Sequence, residues 1–492
     1  MSDASELIAQ QILNGSINKK NWGQVLYNVK VFGAKGDGVY DDTQAVQDAI
    51  DTAISNNATL VYFPPGSYKV TSLANTSTIN FVGDNAVFVG YGGTIVQWGD
   101  MPTQLVINVK DNGVLGDGVT DDTTAIQTAV DIVNNGGGGI VYFPKGTYKI
   151  TSPIRVFGNN IQIKGAGIGA TVIKNYGTTD ALNLNDSWLK VQITICDLTI
   201  DANTQTTGRA INCINVHRSI IDRVQIKKHK YGIYFGVSCF DIYCSKLNVI
   251  DVSQDGSAFQ IDAGDLGGGI WITDVTVDCG AATGTYGLDL LSGGGNFFTN
   301  IDFRTAKNDG IIIRPTTGQT VMWSWFTNVL GDTCTGNGIH LNPSGSGVIN
   351  SASFVNCWGS TNGSNGFVVG STGTIDGIEL IGLRCLDNQF EGLLINGGIN
   401  VEVNGGTFAG NSKNSSGSNN GIKVGANVNK FKIRNVRSGQ SSGRTNTQAY
   451  GVTVLPTANN YMIVNCDFTL NISGGLNDAG GGANKVVANN LS

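Results

Sequence analysis

The ionisable side chains with the best potential for acid–base chemistry lie in four consecutive copies of a short repeat, between residues 258 and 342. Each copy reads Gly or Ala, aliphatic, any residue, aliphatic, and the outward positions or the residues just beyond carry Asp262, Asp265, Asp289, Arg314 and His340. If the copies are strands stacked about 4.8 Å apart, carboxylates on adjacent or next-adjacent strands lie roughly 5–10 Å apart. That interval suits glycoside hydrolysis.

Two reaction classes fit these residues. For hydrolysis we predict Asp289 and Asp262 as the carboxyl pair, with Asp265 as the alternative; one protonates the leaving oxygen and the other activates water or attacks carbon. Arg314 and His340 then orient the substrate or bind its charge. For elimination, Arg314 or His340 assists removal of the proton next to a uronate carboxylate, with Ca²⁺ held by carboxylates. Otherwise no cofactor or metal is predicted, and ordinary surface charge is the alternative interpretation.

Aromatic residues form a second column in three of the same repeats. Alignment on Asp274, Asn300 and Asn328 places Trp271, Phe297 and Trp325 at equivalent positions, with Trp323 nearby. Exposed aromatic rings can stack on the apolar faces of sugars. We therefore predict that these four residues, and Gln260 beside Asp289, bind a sugar substrate. Packing under a loop or against a neighbouring subunit is the alternative.

The repeat itself predicts the elements that position these residues. Its copies start 23 to 30 residues apart, and a second short strand lies between most of them, for example at 270–272. Side chains alternate inward and outward along a strand, so the third and fifth positions of each copy are expected to face solvent. With 69 Gly in 492 residues and only 8 Pro, the chain is predicted to be an all-β solenoid with tight corners.

A different repeat precedes these strands, and its two copies are offset by 80 residues. The copies share a Gly-Asp-Gly-Val turn (36–39, 116–119), an Asp-Asp-Thr helix start (41–43, 121–123) and a Val-Tyr-Phe-Pro strand (61–64, 141–144). A side-chain oxygen at a helix start can cap free backbone N–H groups. We interpret the Asp pairs as capping residues of a helix that closes the solenoid core.

This motif, read from Tyr27 to Thr43 and from Tyr62 to Gly66, resembles the N-terminal motif of the pectate-lyase-like superfamily. The resemblance covers residues 27–72 and 111–152. It implies a right-handed parallel β-helix, the fold of pectinases, glucanases, epimerases and bacteriophage tailspikes. The Asn-Thr-Asp and Gly-His-Gly clusters of plant-type pectinases and the epimerase signature are absent, so no active-site residue is transferred.

The predicted organisation has four parts. Residues 1–26 are an attachment arm, 27–110 a small head with the first motif copy, 111–470 the parallel β-helix, and 471–492 a tail or a last partial coil. The fold class is all-β: a right-handed parallel β-helix with a helix-capped, duplicated N-terminal motif.

The composition of the chain indicates which classes of binding partner to expect. The net charge is −6 and no basic run occurs, which argues against nucleic acid and anionic membranes. No apolar stretch has transmembrane length, and residues 1–10 lack a signal-peptide pattern. Nine scattered Cys without metal-ligand spacing are interpreted as core-facing residues or free thiols. A virion or extracellular location, reached without a classical signal peptide, is expected.

Together these features predict a depolymerase that cleaves glycosidic bonds of a bacterial surface or extracellular polysaccharide. Hydrolysis is favoured over elimination. Resemblance to tailspikes implies a homotrimer that contacts phage tail or baseplate proteins through its N-terminus. The alternatives are a non-catalytic glycan-binding receptor spike and a free glucanase-like carbohydrate enzyme.

Overall fold

The computed structural model describes residues 27–55, 60–76, 79–83, 86–92, 95–97, 105–202, 208–252, 255–264, 267–280, 285–441, 443–482 and 484–492. The arm at 1–26 and the candidate acid Asp265 lie outside the described residues. The predictions made for them stay predictions.

Two segments with the same order of elements open the described chain. Each consists of a short 3-10 helix, a strand and a 13-residue α-helix, followed by two strands. The paired helices are Val29–Phe32 and Val109–Asn112, then α1 (Thr43–Ser55) and α2 (Thr123–Asn135). The sequence repeated at an offset of 80 residues therefore folds alike in both copies.

The Asp pairs at the two helix starts bond to backbone, as predicted. Asp42 is buried and accepts hydrogen bonds from the backbone N–H groups of Lys35 (2.6 Å) and Gly36 (3.1 Å). Asp41 accepts from the N–H of Thr43, at 3.0 Å, and thereby caps α1. Asp122 and Asp121 make the same bonds in the second copy. The interpretation of these carboxylates as structural is confirmed.

By compactness the chain divides into two units. Among the described residues, one unit comprises those up to 107 together with 129–141 and 158–161; the other comprises those in 108–128, 142–157 and 162–492. Within the first unit, α1 buries Val46, Ala49 and Ile50 in one cluster with the strand residues Val61 and Phe63. The first unit is therefore not continuous in sequence, because two later segments belong to it.

Strands make up most of the second unit. In chain order the strands of the molecule are Tyr27–Asn28, Asp37–Asp41, Leu60–Phe63, Gly66–Lys69, Asn80–Gly83, Ala86–Val89, Val96–Gln97, Val106–Asn108, Asp117–Asp121, Gly139–Phe143, Gly146–Ile150, Ile154–Arg155, Ile161–Gly165, Thr171–Asn175, Leu182–Val191, Thr194–Asp201, Arg209–Lys227, Tyr231–Phe235, Phe240–Ser245, Asn248–Ile250, Ser257–Asp262, Gly268–Asp278, Tyr286–Gly294, Phe297–Arg304, Ile311–Ile313, Thr320–Asp332, Ile339–Leu341, Val348–Val355, Trp358–Ser360, Phe367–Val369, Thr374–Ile381, Arg384–Leu386, Leu393–Ile395, Ile399–Asn404, Thr407–Ala409, Ile422–Val424, Asn429–Arg434, Arg437–Ser438, Tyr450–Val454, Asn459–Val464, Gly474–Asp478 and Lys485–Ala488.

Each turn of the chain contributes one segment to each of three parallel sheets. In the turn that starts at 257, Ser257–Asp262 lies in sheet 1, residues 268–273 lie in sheet 2 and residues 275–278 lie in sheet 3. The three segments pair in parallel with equivalent segments of the next turn. The prediction of an all-β parallel β-helix is confirmed.

Residues with a left-handed backbone make the corners between sheets. Asp274, Asn300 and Asn328 have φ of 55°, 54° and 52° and lie on successive turns between sheets 2 and 3. Asp and Asn tolerate this conformation better than most residues. Side-chain hydrogen bonds of 3.0 and 3.2 Å join the three residues along the solenoid axis. The alignment that placed the aromatic column is therefore confirmed.

Stacked residues also fill the interior. Phe298, Phe326 and Phe354 stack with ring centroids 4.5 Å apart on successive turns. Fully buried Asn362 and Asn388 are linked by an Nδ2–H···Oδ1 bond of 3.0 Å, and Asn388 continues to Asn411 at 2.9 Å. The ladder satisfies amide groups that would be costly to bury unpaired.

The last turns continue this stacking to the C-terminus. Gly474–Asp478 pairs with Tyr450–Val454, and Lys485–Ala488 pairs with Asn459–Val464. The strands Gly474–Asp478 and Lys485–Ala488 therefore extend the stack of turns.

All nine cysteines are buried and unpaired. This confirms their interpretation as core residues. No helix in the described part of the chain is long and apolar enough to cross a membrane.

Because His229 is buried, we predict that the fold loses stability in acid. Both ring nitrogens lack a hydrogen-bond partner among the described residues, and burial lowers the pKa of the imidazole from 6.5 to about 3. The unfolded chain therefore binds the proton more readily between these values. Stability is fully present above pH ~6.5 and falls as the pH drops, by up to ~1.4 kcal/mol per pH unit.

Urea denaturation at pH 7 and pH 5 measures this effect. We expect His229→Leu to lose part of the pH dependence, whereas the control His217→Leu, at a half-buried histidine, keeps it. Equal pH dependence in wild type and His229→Leu would contradict the prediction.

Candidate functional site

The outward column of sheet 1 has the predicted register. Gln260 pairs with Asp289, Asp289 with Ile312, and Ile312 with His340 on successive turns. Asp289 and His340 are therefore two turns apart, roughly 10 Å between Cα atoms, with Ile312 between them.

The fifth-position column differs from the prediction at one place. A register shift after Ile261 pairs Asp262 with Ser292, whereas the repeat aligns Asp262 with Leu291. Asp262 accepts hydrogen bonds from the Ser292 hydroxyl (2.7 Å) and from the Gln319 amide (3.0 Å). Its carboxylate therefore lies at the end of the strand and bonds to neighbours that the repeat does not identify.

Several side chains expected to face solvent are covered. Asp289 is 1% exposed, Ile312 4% and Val368 6%, although each lies between inward residues of its strand. The expectation of solvent exposure is wrong for these three residues. For Asp289 the reason is that longer side chains from adjacent turns, Arg314 and Gln260, bond across it.

Asp289 is held in a fully bonded ion pair. Arg314 donates from Nε (2.7 Å) to one carboxylate oxygen and from Nη2 (2.8 Å) to the other, and Gln260 donates at 2.9 Å. The guanidinium also lies 4.9 Å from the ring centre of Tyr286. Hydrogen bonding to Asp289 raises the pKa of Arg314. The pair thus fixes a cation on the outer face of sheet 1.

His340 is oriented by a carboxylate that the sequence analysis missed. Its Nδ1 lies 3.0 Å from Oδ2 of Asp309, whose Oδ1 accepts from the backbone N–H (2.7 Å) and the side-chain amide (2.9 Å) of Asn337. Asp309 is 7% exposed, and His340 is partly exposed. Nε2 of His340 bonds to no described residue, so it is the open nitrogen of the pair.

Asp309 has a weak sequence signal. It stands directly before Gly310, the first residue of its repeat copy, and Asn337 and Asn365 stand directly before the next two copies. Asn365 also donates to Asn337, at 3.0 Å, which continues the row along the axis. A column read one position before the repeat would have found it.

The aromatic column lies on sheet 2, a different face of the solenoid. Trp271 stacks on Phe297 with 4.0 Å between ring centres, and Phe297 stacks on Trp325 at 4.7 Å. Tyr243, which the sequence analysis missed, extends the stack at 5.3 Å. The faces between these rings are closed to a sugar, and edges and the end faces remain. Trp323, 57% exposed, lies at the adjoining corner.

Two carboxyl groups on sheet 3 have a raised pKa. Burial raises the pKa of Asp302 and of Asp332 above the ordinary aspartate value. Arg304 lies 3.5 Å from Asp302. Sheet 3 therefore carries the carboxyl groups with raised pKa, whereas sheet 1 carries the oriented histidine and the fixed arginine.

The structure thus brings the predicted residues into three groups. Gln260, Asp289 and Arg314 are in direct contact; Asp262 bonds elsewhere; and His340 pairs with Asp309. Among the described residues, no group of three or more His, Cys, Asp or Glu side chains is arranged to hold a metal ion.

Curated relatives match the chain over short segments. Alginate lyase 7 of Azotobacter vinelandii is 40% identical over 111 residues, which is 20% of this chain and 13% of that protein. Mannuronan C5-epimerase AlgE1 of the same organism is 49% identical over 73 residues, or 14% of this chain and 5% of that protein. The chain therefore spans a small part of the length of these relatives.

Two solved structures share the fold. The A-module of mannuronan C-5 epimerase AlgE6 of Azotobacter vinelandii has a TM-score of 0.50 at 18% identity, covering 78% of this chain and 99% of the module. The tailspike protein of E. coli bacteriophage HK620, solved with a hexasaccharide, has a TM-score of 0.50 at 12% identity, covering 77% and 80%. At these identities the likeness shows the fold alone.

A family model matches a larger part of the chain than these relatives do. The model described as rhamnogalacturonase A/epimerase, pectate lyase-like, matches residues 26–89 and 106–365. These segments include both helix-capped motifs and every turn that carries a predicted site residue, and they make up more than half of the chain. The resemblance inferred from the N-terminal motif is confirmed: the chain belongs to the pectate lyase-like family of rhamnogalacturonase A and epimerases.

Proposed function

We propose that the protein is a polysaccharide-cleaving enzyme whose reacting site lies on the outer face of sheet 1, between Asp289 and His340. The observation that carries this proposal is the Asp309–His340 pair, in which one ring nitrogen is bonded to a buried carboxylate and the other is open. A carboxylate that fixes the ring and its tautomer in this way orients histidine for proton transfer through its open nitrogen.

The bonding favours elimination over the hydrolysis expected from the sequence. Hydrolysis needs two carboxyl groups, one of them protonated. Asp289 is instead ion-paired with Arg314, and Asp262 accepts two hydrogen bonds from neutral donors. Elimination needs a base and a nearby positive charge, which His340 and Arg314 supply. Names of relatives support this choice, since they include an alginate lyase and mannuronan epimerases.

The proposed step uses one base and one cation. Nε2 of His340 takes the proton from the carbon next to a uronate carboxylate. The released electron pair forms a carbon–carbon double bond, and the glycosidic oxygen leaves with its bonding electrons and takes a proton from solvent. Arg314, fixed by Asp289, neutralises the substrate carboxylate as negative charge builds on it.

Calcium has no evident site among these residues. Asp289 and Asp262 already accept hydrogen bonds from protein donors, and the described residues contain no cluster of metal-binding side chains. No step of the proposal uses a metal.

Location on a virion and assembly as a homotrimer extend the proposal. Support comes from the tailspike-like fold and the predicted attachment arm at residues 1–26. The contact with phage tail or baseplate proteins, through that arm, belongs to the same extension. A trimer by light scattering supports a tailspike, whereas a monomer supports a free, glucanase-like enzyme.

A non-catalytic glycan-binding spike is the second candidate function. It is favoured by the Asp289–Arg314 pair, because a carboxylate with all its bonds made can serve binding without chemistry. Release of oligosaccharides during incubation with bacterial capsule polysaccharides distinguishes an enzyme from a binder. Ultraviolet absorbance of the products, due to an unsaturated uronate, distinguishes elimination from hydrolysis.

Replacement of the proposed base should abolish cleavage without unfolding the protein. We expect His340→Gln to lower kcat by roughly 10²–10⁴-fold, because the open nitrogen is lost, with little change in KM. Asp309→Asn should lower kcat as well, since the ring loses its fixed tautomer. His217→Gln on sheet 2 is the matched control, and equal kcat values for His340→Gln and this control would refute the assignment.

Replacement of Asp289 should affect substrate binding, the reaction rate and stability. Asp289→Asn leaves Arg314 with a weaker partner, so KM should rise and kcat should fall, though by less than in His340→Gln. Because Arg314 is 38% exposed and water can replace part of the lost interaction, we expect a stability loss of only ~1–2 kcal/mol.

The control for this change is Asp467→Asn, whose carboxylate forms a longer, more exposed ion pair with Arg437 at 3.9 Å. Its melting temperature should stay close to that of wild type. A kcat loss in Asp289→Asn as large as in His340→Gln would show that Asp289 takes part in the chemistry.

A further inference from the structure

A polar cavity of about 570 Å³ lies at the corner between sheets 3 and 1, on later turns than His340. Its lining residues are Thr361, Asp387, Gln389, Lys413, Gly443, Arg444 and Thr445. Long turns build it. Only six residues, 387–392, join sheet 3 to sheet 1 on the turn of Asp387, whereas the next two turns use 410–421 and 439–449 for the same connection.

Two cations converge on one carboxylate in this cavity. Arg444 donates from Nε to Asp387 at 2.7 Å, and Lys413 lies 3.4 Å from the other oxygen of Asp387. Each of the three side chains is about one-third exposed or less. One carboxylate against two cations leaves one net positive charge.

The geometry of Arg444 leaves donors free for a ligand. Its Nε is bonded to Asp387, but neither Nη atom bonds to a described residue. Two neighbouring N–H groups of a guanidinium match the two oxygens of a carboxylate, and an anchored arginine loses less freedom when it binds. Lys413 adds a second positive charge at the same cavity.

The cavity lies further along the same edge of the solenoid as the proposed reacting site. Asp387 lies on the turn of Glu391, and the row that begins at Asp309 continues through Asn337 and Asn365 to Glu391 by hydrogen bonds. The turn of Asp387 is two turns beyond that of His340, or roughly 10 Å along the axis. A polymer lying along this edge would reach both places.

We propose that the cavity around Arg444 is a binding subsite for the carboxylate of an acidic polysaccharide, remote from the reacting sugar. This inference rests on the proposed function for the substrate class, but it concerns binding and not chemistry. Sugar carboxylates repeat along a polyuronate, so a chain that places one at Arg314 presents others further along the axis.

Affinity electrophoresis through gels that contain alginate, a polyuronate, tests the subsite. We expect Arg444→Gln and Lys413→Gln each to raise the apparent dissociation constant by about five- to tenfold, because each loses a charge-assisted contact. Arg223→Gln is the matched control: it removes an ion-paired arginine from a distant turn and should migrate like wild type.

Gels with carboxyl-reduced alginate and with dextran sulfate separate the sources of binding. The variants and wild type should migrate alike with the reduced polymer. If Arg444→Gln and Lys413→Gln bind alginate as tightly as wild type does, the proposal is overturned. An equal loss on dextran sulfate would overturn the restriction to carboxylates.

Two further variants keep folding and chemistry apart from binding. Arg444 and Lys413 come from different turns, so a loss shared by both variants at unchanged melting temperatures cannot come from collapse of one loop. His340→Gln should bind alginate like wild type. Full activity of His340→Gln would defeat the proposed reaction, yet it would leave the Arg444 result intact.

Discussion

Parallel hydrogen bonding between successive turns is the constraint on which the rest of the structure depends. It fixes which residue lies one turn above another, at a spacing of about 4.8 Å. A charged side chain on an outer face therefore meets its partner on an adjacent turn, as Asp289 meets Arg314, Asp309 meets His340, and Asp387 meets Lys413. Site chemistry follows from the register before any loop is considered.

The same spacing explains what the sequence could predict. The column from Gln260 to His340 was readable because each copy of the repeat marks one turn. Asp309 escaped because it stands before the repeat, and the partners of Asp262 escaped because one extra residue shifts the register. Coverage of Asp289 depends on how far arginine and glutamine reach from neighbouring turns, which no periodicity encodes.

The aromatic column shows the limit of such patterns. Equivalent positions on successive turns predicted that Trp271, Phe297 and Trp325 align, and they do. Because the turn spacing is close to the distance between the centres of two stacked rings, aligned rings cover one another. The pattern that places aromatic residues together thus removes the faces that a sugar would use. The stacked rings therefore stabilise sheet 2 by packing on one another.

Side chains whose polar atoms are only partly hydrogen-bonded mark the places where the protein can react with a ligand or bind it. The strands tolerate little change, because each outward residue is packed between two neighbours, whereas the turns between sheets vary in length. Several charged side chains on the faces form an ion pair with a side chain on an adjacent turn. Nε2 of His340 and the Nη groups of Arg444 are different, since their side chains are anchored at one atom and open at another. An anchored group with a free donor or acceptor is prepared for a ligand.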